Sequence, residues 1–439
     1  MHLLAVGLDQ RTAPLALRER CVYTPADAST VLPALASADI AEVALLCTCN
    51  RTEFYAAAPD PATAVPRLRA ELARRAGLEP AALRDHLYCQ VGAEETLRHL
   101  CRVASGLEAL VLGETQVLGQ VKDAYLHSAE AGTVGKYLHG CFHQALGCAK
   151  RVHAETGLAR HPVSVGAAAV DFARQALGEL RGRAAVLVGA GETAETVARR
   201  LREAGFGRID VVGRSAARAG ELAQRVGGAA WGLEDLAARL TTADVLVTST
   251  SAATPIVTVA LLEPVLTCRD GRPLLIVDIA VPRDVAPAVG GLPGVRLCNI
   301  DDLQGSAAAG RRERGQEAAA AAGIVEEAVA DFGEWLAGQD AVPVIRALSG
   351  RFEAVAASEA ERALRHLGAL SPREREVVRQ LAHAVARKLL DAPVRRLKDL
   401  AGTPGGHEAV RALGQAFELE VPPVVGLPAG GDGVRAAGG

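Results

Sequence analysis

The chain is poor in the features that would assign it quickly to a class. Aromatic residues make up only 3% of its 439 residues, while 49% are hydrophobic. Scarce aromatics together with abundant alanine favour long helices. No apolar run is long enough to span a bilayer, which excludes a membrane-spanning segment. The net charge is −3, so no overall basic field indicates nucleic acid, and any RNA contact would have to use local patches.

A disulfide framework and a metal site are also missing. The nine cysteines are odd in number and show no regular spacing, which predicts mostly free thiols in a reducing compartment such as the cytoplasm. No Cys-x-x-Cys pair occurs. Cys47 and Cys49 form a Cys-x-Cys, which is a weak metal signal without further ligands nearby, so we expect no metal. Residues 1–6 lack a cationic region and a cleavage site and predict a first strand, not a signal peptide.

Four segments follow one another along the chain. Residues 1–160 contain strand-like runs at 3–7, 42–47, 53–58 and 87–91 with helices between them, which predicts a ferredoxin-like α+β domain. In 161–300 strands alternate with helices, as in a parallel, doubly wound Rossmann-type sheet. Residues 301–415 are predicted to be helical, and 416–439 are rich in glycine and proline and are predicted to be disordered.

The helical segment carries two further signals. A charged, alanine-rich stretch up to about residue 336 predicts one long helix, which we expect Val342-Pro343 to interrupt. Beyond it, Val377, Leu381, Val385 and Leu389 form an apolar stripe with i, i+4 spacing. Such a stripe needs burial, which a second chain would supply.

A nucleotide-binding turn opens the Rossmann-type segment. The strand at 184–188 runs into Gly189-x-Gly191-x-x-Ala194 and then a helix, which is the dinucleotide fingerprint in its proper setting. The cofactor would contact Gly189, Ala190, Gly191, Glu192, Thr193 and Ala194. Arg214 and Ser215 follow the next strand, where an acidic residue would favour NAD, so they favour NADPH. The alternative is that Arg214 is merely an exposed residue at a strand end.

A thiol in a polar turn is the candidate nucleophile. Cys49 lies between two apolar runs, and we expect Arg51 to lower its pKa. Cys47 points to the same side if the strand persists, or else it is a packed core thiol. A thiolate combined with a nicotinamide cofactor suits one chemistry: attack on an activated acyl group, followed by reduction of the thioester to an aldehyde, or the reverse.

Several motifs resemble those of the glutamyl-tRNA reductase family, the first enzymes of five-carbon tetrapyrrole (porphyrin) synthesis. They cover about residues 1–415 in order and lie at 47–53, 99–107, 112–122, 189–194, 278–284 and 299–303. The resemblance implies an NADPH-dependent oxidoreductase in which Cys49 attacks glutamyl-tRNA and the thioester is reduced to glutamate-1-semialdehyde. It implies a catalytic role for His99, and it implies that Arg51 binds the substrate carboxylate. The other implied substrate-binding residues are Thr48, Asn50, Ala109, Glu114, Thr115, Gln116 and Gln120.

The chain departs from the family pattern at three positions. Cys47 and Ala109 stand where the family usually has serine, and Gly213 stands where it often has asparagine. At Ala109 one hydrogen bond to the substrate, worth about 1 kcal/mol, is lost or replaced by water.

The resemblance also implies an assembly. It predicts a long spinal helix, a helical dimerisation domain and a V-shaped homodimer with an open space between the catalytic and nucleotide domains. That space implies a large reorientation before reduction and a docking place for the aminotransferase that consumes the product. Two other functions stay open from the residues: a thiol-dependent aldehyde dehydrogenase acting on a free metabolite, and a non-catalytic regulatory paralogue.

Overall fold

The computed structural model describes residues 1–110, 112–159, 165–303, 315–368, 370–401 and 406–419. The predicted boundary at 160–161, the first part of the helical segment at 304–314 and the tail from 420 lie outside these residues. The chain forms two compact units, one of Leu3–Val91 with Glu95–Val325, the other of Met1–His2, Gly92–Glu94 and Glu326–Gly439. The predicted domain boundaries stay predictions.

The larger unit contains two sheets, and we call the residues around them the first lobe (up to 159) and the second lobe (165–303). The strands and helices that begin in the first lobe's stretch are β1 His2–Asp9, α1 Leu15–Arg18, α2 Pro25–Leu35, β2 Glu42–Cys47, β3 Arg51–Ala58, α3 Pro61–Ala76, α4 Pro80–Leu83, β4 Tyr88–Val91, α5 Ala93–Ala104, α6 Gln116–Glu130 and α7 Lys136–Glu155. The sheet order is β2-β3-β1-β4, which confirms the ferredoxin-like prediction. Buried side chains of β1 and β3, among them Leu4, Val6 and Phe54, fill its core.

The second lobe alternates helices with strands: α8 Val165–Leu177, β5 Ala184–Val188, α9 Glu192–Glu203, β6 Arg208–Val212, α10 Ala216–Val226, β7 Ala229–Trp231, α11 Leu236–Leu240, β8 Val245–Thr248, α12 Val259–Thr267, β9 Leu274–Asp278 and β10 Val295–Asn299. The six strands pair in parallel in the order β10-β9-β8-β5-β6-β7. This is the predicted doubly wound sheet. The order reverses beside β5, and ligands of such sheets bind at the carboxyl ends of the strands at that point.

The two lobes pack directly against each other. In the short helix α1, Leu17 belongs to the core of the first lobe, whereas Leu15 belongs to the core of the second. Cys49 also packs against the second lobe's core. The open space that the family resemblance implied between catalytic and nucleotide domains is therefore filled in this conformation, because apolar side chains of both lobes bury one another there.

The helical segment contains α13 Gly315–His366, α14 Pro372–Ala401 and α15 Gly406–Ala416. The predicted interruption at Val342-Pro343 is wrong, because α13 continues through Pro343. A proline removes one backbone donor and crowds the preceding turn, but the neighbouring Val344 and Leu348 are buried in a small helical core that holds the helix together. Within the described residues, no helix is long and apolar enough to cross a membrane.

Candidate active site

The candidate nucleophile lies at the tip of the β2–β3 hairpin. The strands pair from Glu42–Ala57 to Cys47–Thr52, so the hairpin turns within residues 48–51. The Thr48 hydroxyl oxygen accepts the backbone N–H groups of Asn50 and Arg51, both at 3.2 Å. This local pairing, which threonine side chains favour in turns, holds Cys49 at the apex. The Thr48 hydroxyl keeps its own hydrogen for donation to a ligand.

Cys49 lines a cavity of about 140 Å³ between the lobes. The predicted substrate-binding residues Thr48, Asn50, Arg51, Ala109, Glu114, Gln116 and Gln120 also line it. Two predicted residues, Thr115 and His99, are not part of its lining. Residues from three separate stretches of the first lobe therefore converge on the thiol, as the motifs indicated.

The opposite wall comes from the second lobe and is formed by Val165, Thr193, Ser249, Thr250, Ile279, Ala280, Val281 and Ile300. Thr193 was predicted as a cofactor contact, whereas the other residues of this wall were missed by sequence reasoning. The motifs at 278–284 and 299–303 were recognised in the sequence, but nothing in their spacing indicated that they face Cys49. Within this wall the carboxylate of Asp284 accepts the backbone N–H of Thr250 at 2.8 Å and its hydroxyl, which fixes the orientation of that threonine.

A second cavity of about 380 Å³ lies over the nucleotide-binding turn. Its lining includes the predicted Gly189, Ala190, Gly191, Glu192, Thr193, Arg214 and Ser215. Ala194 is fully buried instead and packs in the second lobe's core, which is the packing role of the small residue in the fingerprint. Thr193, Ser249 and Thr250 line both cavities, so the two spaces share a wall.

The residues of the second cavity fit a dinucleotide. Gly189 has φ = 120°, which side chains other than glycine rarely adopt, and it permits the tight turn after β5. A Cβ on Gly191 would meet nothing within 4 Å, so the turn is open on that side. Gly191 caps α9 and has no side chain to satisfy the first N–H groups of that helix, which leaves them to a pyrophosphate.

A buried carboxylate organises the residues behind the thiol. Glu53 is fully buried and accepts hydrogen bonds from Arg51 at 2.6 Å and from the hydroxyls of Tyr55 and Tyr88. The Nε2 of His99 lies 3.2 Å from it. We call these five residues the Glu53 cluster. Burial would raise the pKa of Glu53, but Arg51 and then His99 outweigh it and hold the pKa well below its usual value.

Comparison with known proteins gives a consistent result over almost the whole chain. Family models match residues 6–156 (glutamyl-tRNAGlu reductase, N-terminal domain), 171–306 (shikimate / quinate 5-dehydrogenase) and 320–419 (glutamyl-tRNAGlu reductase, dimerisation domain). The glutamyl-tRNA reductase of Desulforudis audaxviator is 41% identical over 433 residues, which cover 97% of each chain. This chain belongs to the glutamyl-tRNA reductase family.

Two further relatives agree. The glutamyl-tRNA reductase of Syntrophotalea carbinolica is 39% identical over 95% of each chain. The solved structure of glutamyl-tRNA reductase from Methanopyrus kandleri matches with a TM-score of 0.51 and 32% identity over 95% of this chain and 99% of that one. Membership confirms the predicted oxidoreductase class, and the shikimate-dehydrogenase-like lobe indicates a nicotinamide cofactor.

The pKa of the Cys49 thiol differs from the sequence-based expectation. Burial, and after it the Glu114 carboxylate, raise the pKa of Cys49 to about 12, and Arg18 opposes them. Arg51 is not the activating cation, because its guanidinium is occupied by Glu53 and by the carbonyl of Glu108 at 2.6 Å. The prediction that Arg51 lowers the pKa of Cys49 is therefore wrong. Burial alone raises the pKa of Glu114 to about 7.

The structure also separates the two neighbouring thiols. The strand β2 ends at Cys47, so the side-chain alternation does not extend to Cys49. Cys47 packs against the first lobe's core, where its sulfur accepts the N–H of Tyr23 at 3.3 Å and lies 3.5 Å from the Thr52 hydroxyl. Of the two alternatives for Cys47, the structure therefore supports a packed core thiol.

Charge substitutions in the cavity should change the reactivity of Cys49 in opposite directions. Glu114→Gln removes the carboxylate that raises the pKa of the thiol, so more thiolate forms at pH 8 and alkylation by iodoacetamide should be several-fold faster. Gln116→Glu adds a carboxylate to the same cavity and should slow it.

Peptide mass spectrometry would follow the modification of each cysteine. The exposed Cys268 of the same sample serves as the internal reference, since it lies outside the cavity. A ratio of Cys49 to Cys268 alkylation that is the same in all three proteins would show that the cavity carboxylates do not control the thiol.

Proposed function

We propose that this protein reduces glutamyl-tRNA to glutamate-1-semialdehyde with NADPH, through a thioester on Cys49. One observation carries the proposal: the cavity of Cys49 and the nucleotide cavity share the wall formed by Thr193, Ser249 and Thr250. An acyl group on the thiol and a nicotinamide ring bound beside these three residues would therefore be neighbours. A free thiol away from this wall would have no reductant within reach.

The first step needs a base for the thiol. With a pKa near 12, Cys49 is protonated at neutral pH. Glu114 lines the same cavity and, with a pKa of about 7, is partly ionised at that pH, which suits a general base. It takes the proton as the sulfur attacks the ester carbonyl. The carbon–oxygen bond to the tRNA ribose then breaks, the ribose oxygen takes a proton from solvent, and a thioester is left on Cys49.

The remaining residues bind and orient the acyl group. Arg51 lines the cavity and has guanidinium N–H groups beyond those that contact Glu53 and Glu108, so it can bind the substrate carboxylate. Gln116, Gln120 and the Thr48 hydroxyl can donate to the remaining polar groups. When bound, NADPH supplies the hydride that reduces the thioester to the aldehyde. Cys49 leaves as thiolate and regains its proton from Glu114.

His99 has a supporting role in this proposal. It contacts Glu53 in the cluster and does not line the cavity, so it acts by fixing the carboxylate that holds Arg51. The resemblance implied a catalytic role for His99. In this proposal His99 affects the substrate only indirectly, through Glu53 and Arg51. We place the protein in the cytoplasm, where its nine thiols stay reduced.

The central test is an assay with glutamyl-tRNA and NADPH. The parent protein should form semialdehyde, and Cys49→Ser should form none above background, because a hydroxyl at this position is a far weaker nucleophile than a thiol. Cys47→Ser is the matched control and should keep most of the activity, since Cys47 lies outside the cavity. Equal activity on glutamate esters without tRNA, or activity in Cys49→Ser, would contradict the proposal.

The preference for NADPH rests on Arg214 and Ser215, which line the nucleotide cavity. Ser215 caps α10 by accepting the N–H of Arg218, which leaves Arg214 as the candidate contact for a 2′-phosphate. Arg214→Ala should raise KM for NADPH about tenfold, the loss of one charge-assisted hydrogen bond, and should change KM for NADH little. Equal increases for the two cofactors in steady-state kinetics would exclude this role.

We also propose a homodimer formed through the helical segment. The family's dimerisation model covers 320–419, and Val377, Leu381, Val385 and Leu389 of α14 are 49–64% exposed in the single chain. An apolar stripe of this size is unfavourable in water and needs a partner. Binding of the aminotransferase that consumes the product stays a prediction.

The proposed role of the apolar stripe in dimerisation can be tested by sedimentation velocity. Leu381→Glu should shift the protein from dimer to monomer at micromolar concentration, because dimerisation would bury an unpaired carboxylate in an apolar interface. Gln380→Glu, one residue away on an exposed position of the same helix, should leave the dimer intact. A dimer that survives Leu381→Glu would place the interface elsewhere.

A further inference from the structure

Two consecutive residues of opposite charge connect the lobes beside the Cys49 cavity. Arg18 ends α1, and Glu19 follows it directly. The guanidinium of Arg18 contacts both carboxylate oxygens of Asp301, at 2.6 and 3.3 Å. Glu19 accepts three hydrogen bonds from Arg283, from the backbone N–H at 2.6 Å and from the guanidinium at 2.8 and 2.7 Å. We call these two ion pairs the interlobe clasp.

The clasp holds the loops that form the wall of the cavity. Ile300 lines the cavity and directly precedes Asp301, and Val281 lines it two residues before Arg283. Each ion pair therefore fixes one of the second-lobe loops that face the thiol. Their chemistry makes them effective anchors, since bidentate arginine–carboxylate pairs fix orientation as well as distance.

The environment of the pairs differs from that of ordinary surface ion pairs. The side chain of Arg18 is only 3% exposed, and that of Glu19 is 14% exposed. Exposed pairs contribute little because water and salt screen them, whereas such sheltered pairs keep more of their strength. α1 also inserts Leu15 into the second lobe's core. The ion pairs therefore act at an interface between the lobes that apolar contacts already hold together.

We propose that Arg18 and Glu19 are positioning residues for hydride transfer. By holding Asp301 and Arg283, they set the approach of the second lobe, and with it the cofactor, to the acyl group on Cys49. This inference rests on the function proposed above. It concerns the reduction step, because the residues that act on the ester, Cys49, Glu114 and Arg51, belong to the first lobe and need no cofactor. Since Arg18 also lowers the pKa of Cys49, the Glu19–Arg283 pair is the one that should affect reduction without affecting thioester formation.

Charge reversal at the Glu19–Arg283 pair tests this inference. Glu19→Arg and Arg283→Glu should each slow NADPH-dependent reduction by at least about tenfold, since a misplacement of 1 Å can reduce a rate a hundredfold. Release of one equivalent of tRNA in the absence of NADPH, which reports thioester formation, should stay within about twofold of the parent. The double variant Glu19→Arg/Arg283→Glu restores the side-chain pair with reversed polarity, although not the acceptor for the backbone N–H of residue 283, and should recover part of the reduction rate.

A matched control uses an ion pair away from both cavities. Asp171 and Arg174 form an exposed pair within α8, with more than half of each side chain exposed. Asp171→Arg makes the same change of charge as Glu19→Arg and should leave both steps unchanged. This separates the effect of the clasp from a general effect of charge on tRNA binding.

The outcomes distinguish the two proposals. If the parent releases no tRNA, or if Cys49→Ser releases as much, the proposed function fails. If the parent performs both steps and Glu19→Arg does so equally well, only the clasp is excluded. Loss of both steps in the single variants would also overturn the inference, because the pair would then stabilise the fold without positioning the lobes. The same holds if the double variant catalyses reduction no faster than the single variants.

Discussion

The buried ion pair of Arg51 and Glu53 is the interaction on which the first lobe depends. Both side chains are almost completely buried, and an unpaired charge at either position would be strongly unfavourable. Glu53 also accepts from Tyr55, Tyr88 and His99, while Arg51 donates to the carbonyl of Glu108. A single carboxylate thus links two strands and a helix of the lobe to the segment that carries Ala109. These contacts hold the turn end of the hairpin, where Cys49 lies.

The same interaction changes the account of the thiol. An arginine two residues from a cysteine suggests activation, but Glu53 compensates the charge of Arg51. Burial therefore dominates at Cys49 and keeps the thiol protonated. A nucleophile of this kind needs a base in its own cavity, and Glu114 has the pKa for that role. The pocket combines burial between the lobes, which limits the access of water to a thioester, with a carboxyl group that titrates near neutral pH.

Much of the fold was predictable from local patterns. The strand–helix order indicated the ferredoxin-like lobe, the alternation indicated the parallel sheet, and the Gly189–Ala194 turn located the nucleotide cavity. Local rules failed at Pro343, where proline predicts a break but buried neighbours hold the helix together. They failed again at the shared wall, since Ser249 and Thr250 carry no signal that they face a cysteine some 200 residues earlier in the chain.

The sequence by itself determined the family, the nucleotide-binding turn and the candidate for the reactive thiol, because these depend on residue types at short, fixed spacings. Only the tertiary structure decided which cation lies near Cys49, where Cys47 and His99 lie, and how the lobes meet. The reason is physical: these features depend on contacts between distant segments, such as that of Arg18 with Asp301 across 283 residues. Burial and charge pairing, which set the pKa of each group, exist only once those segments have packed.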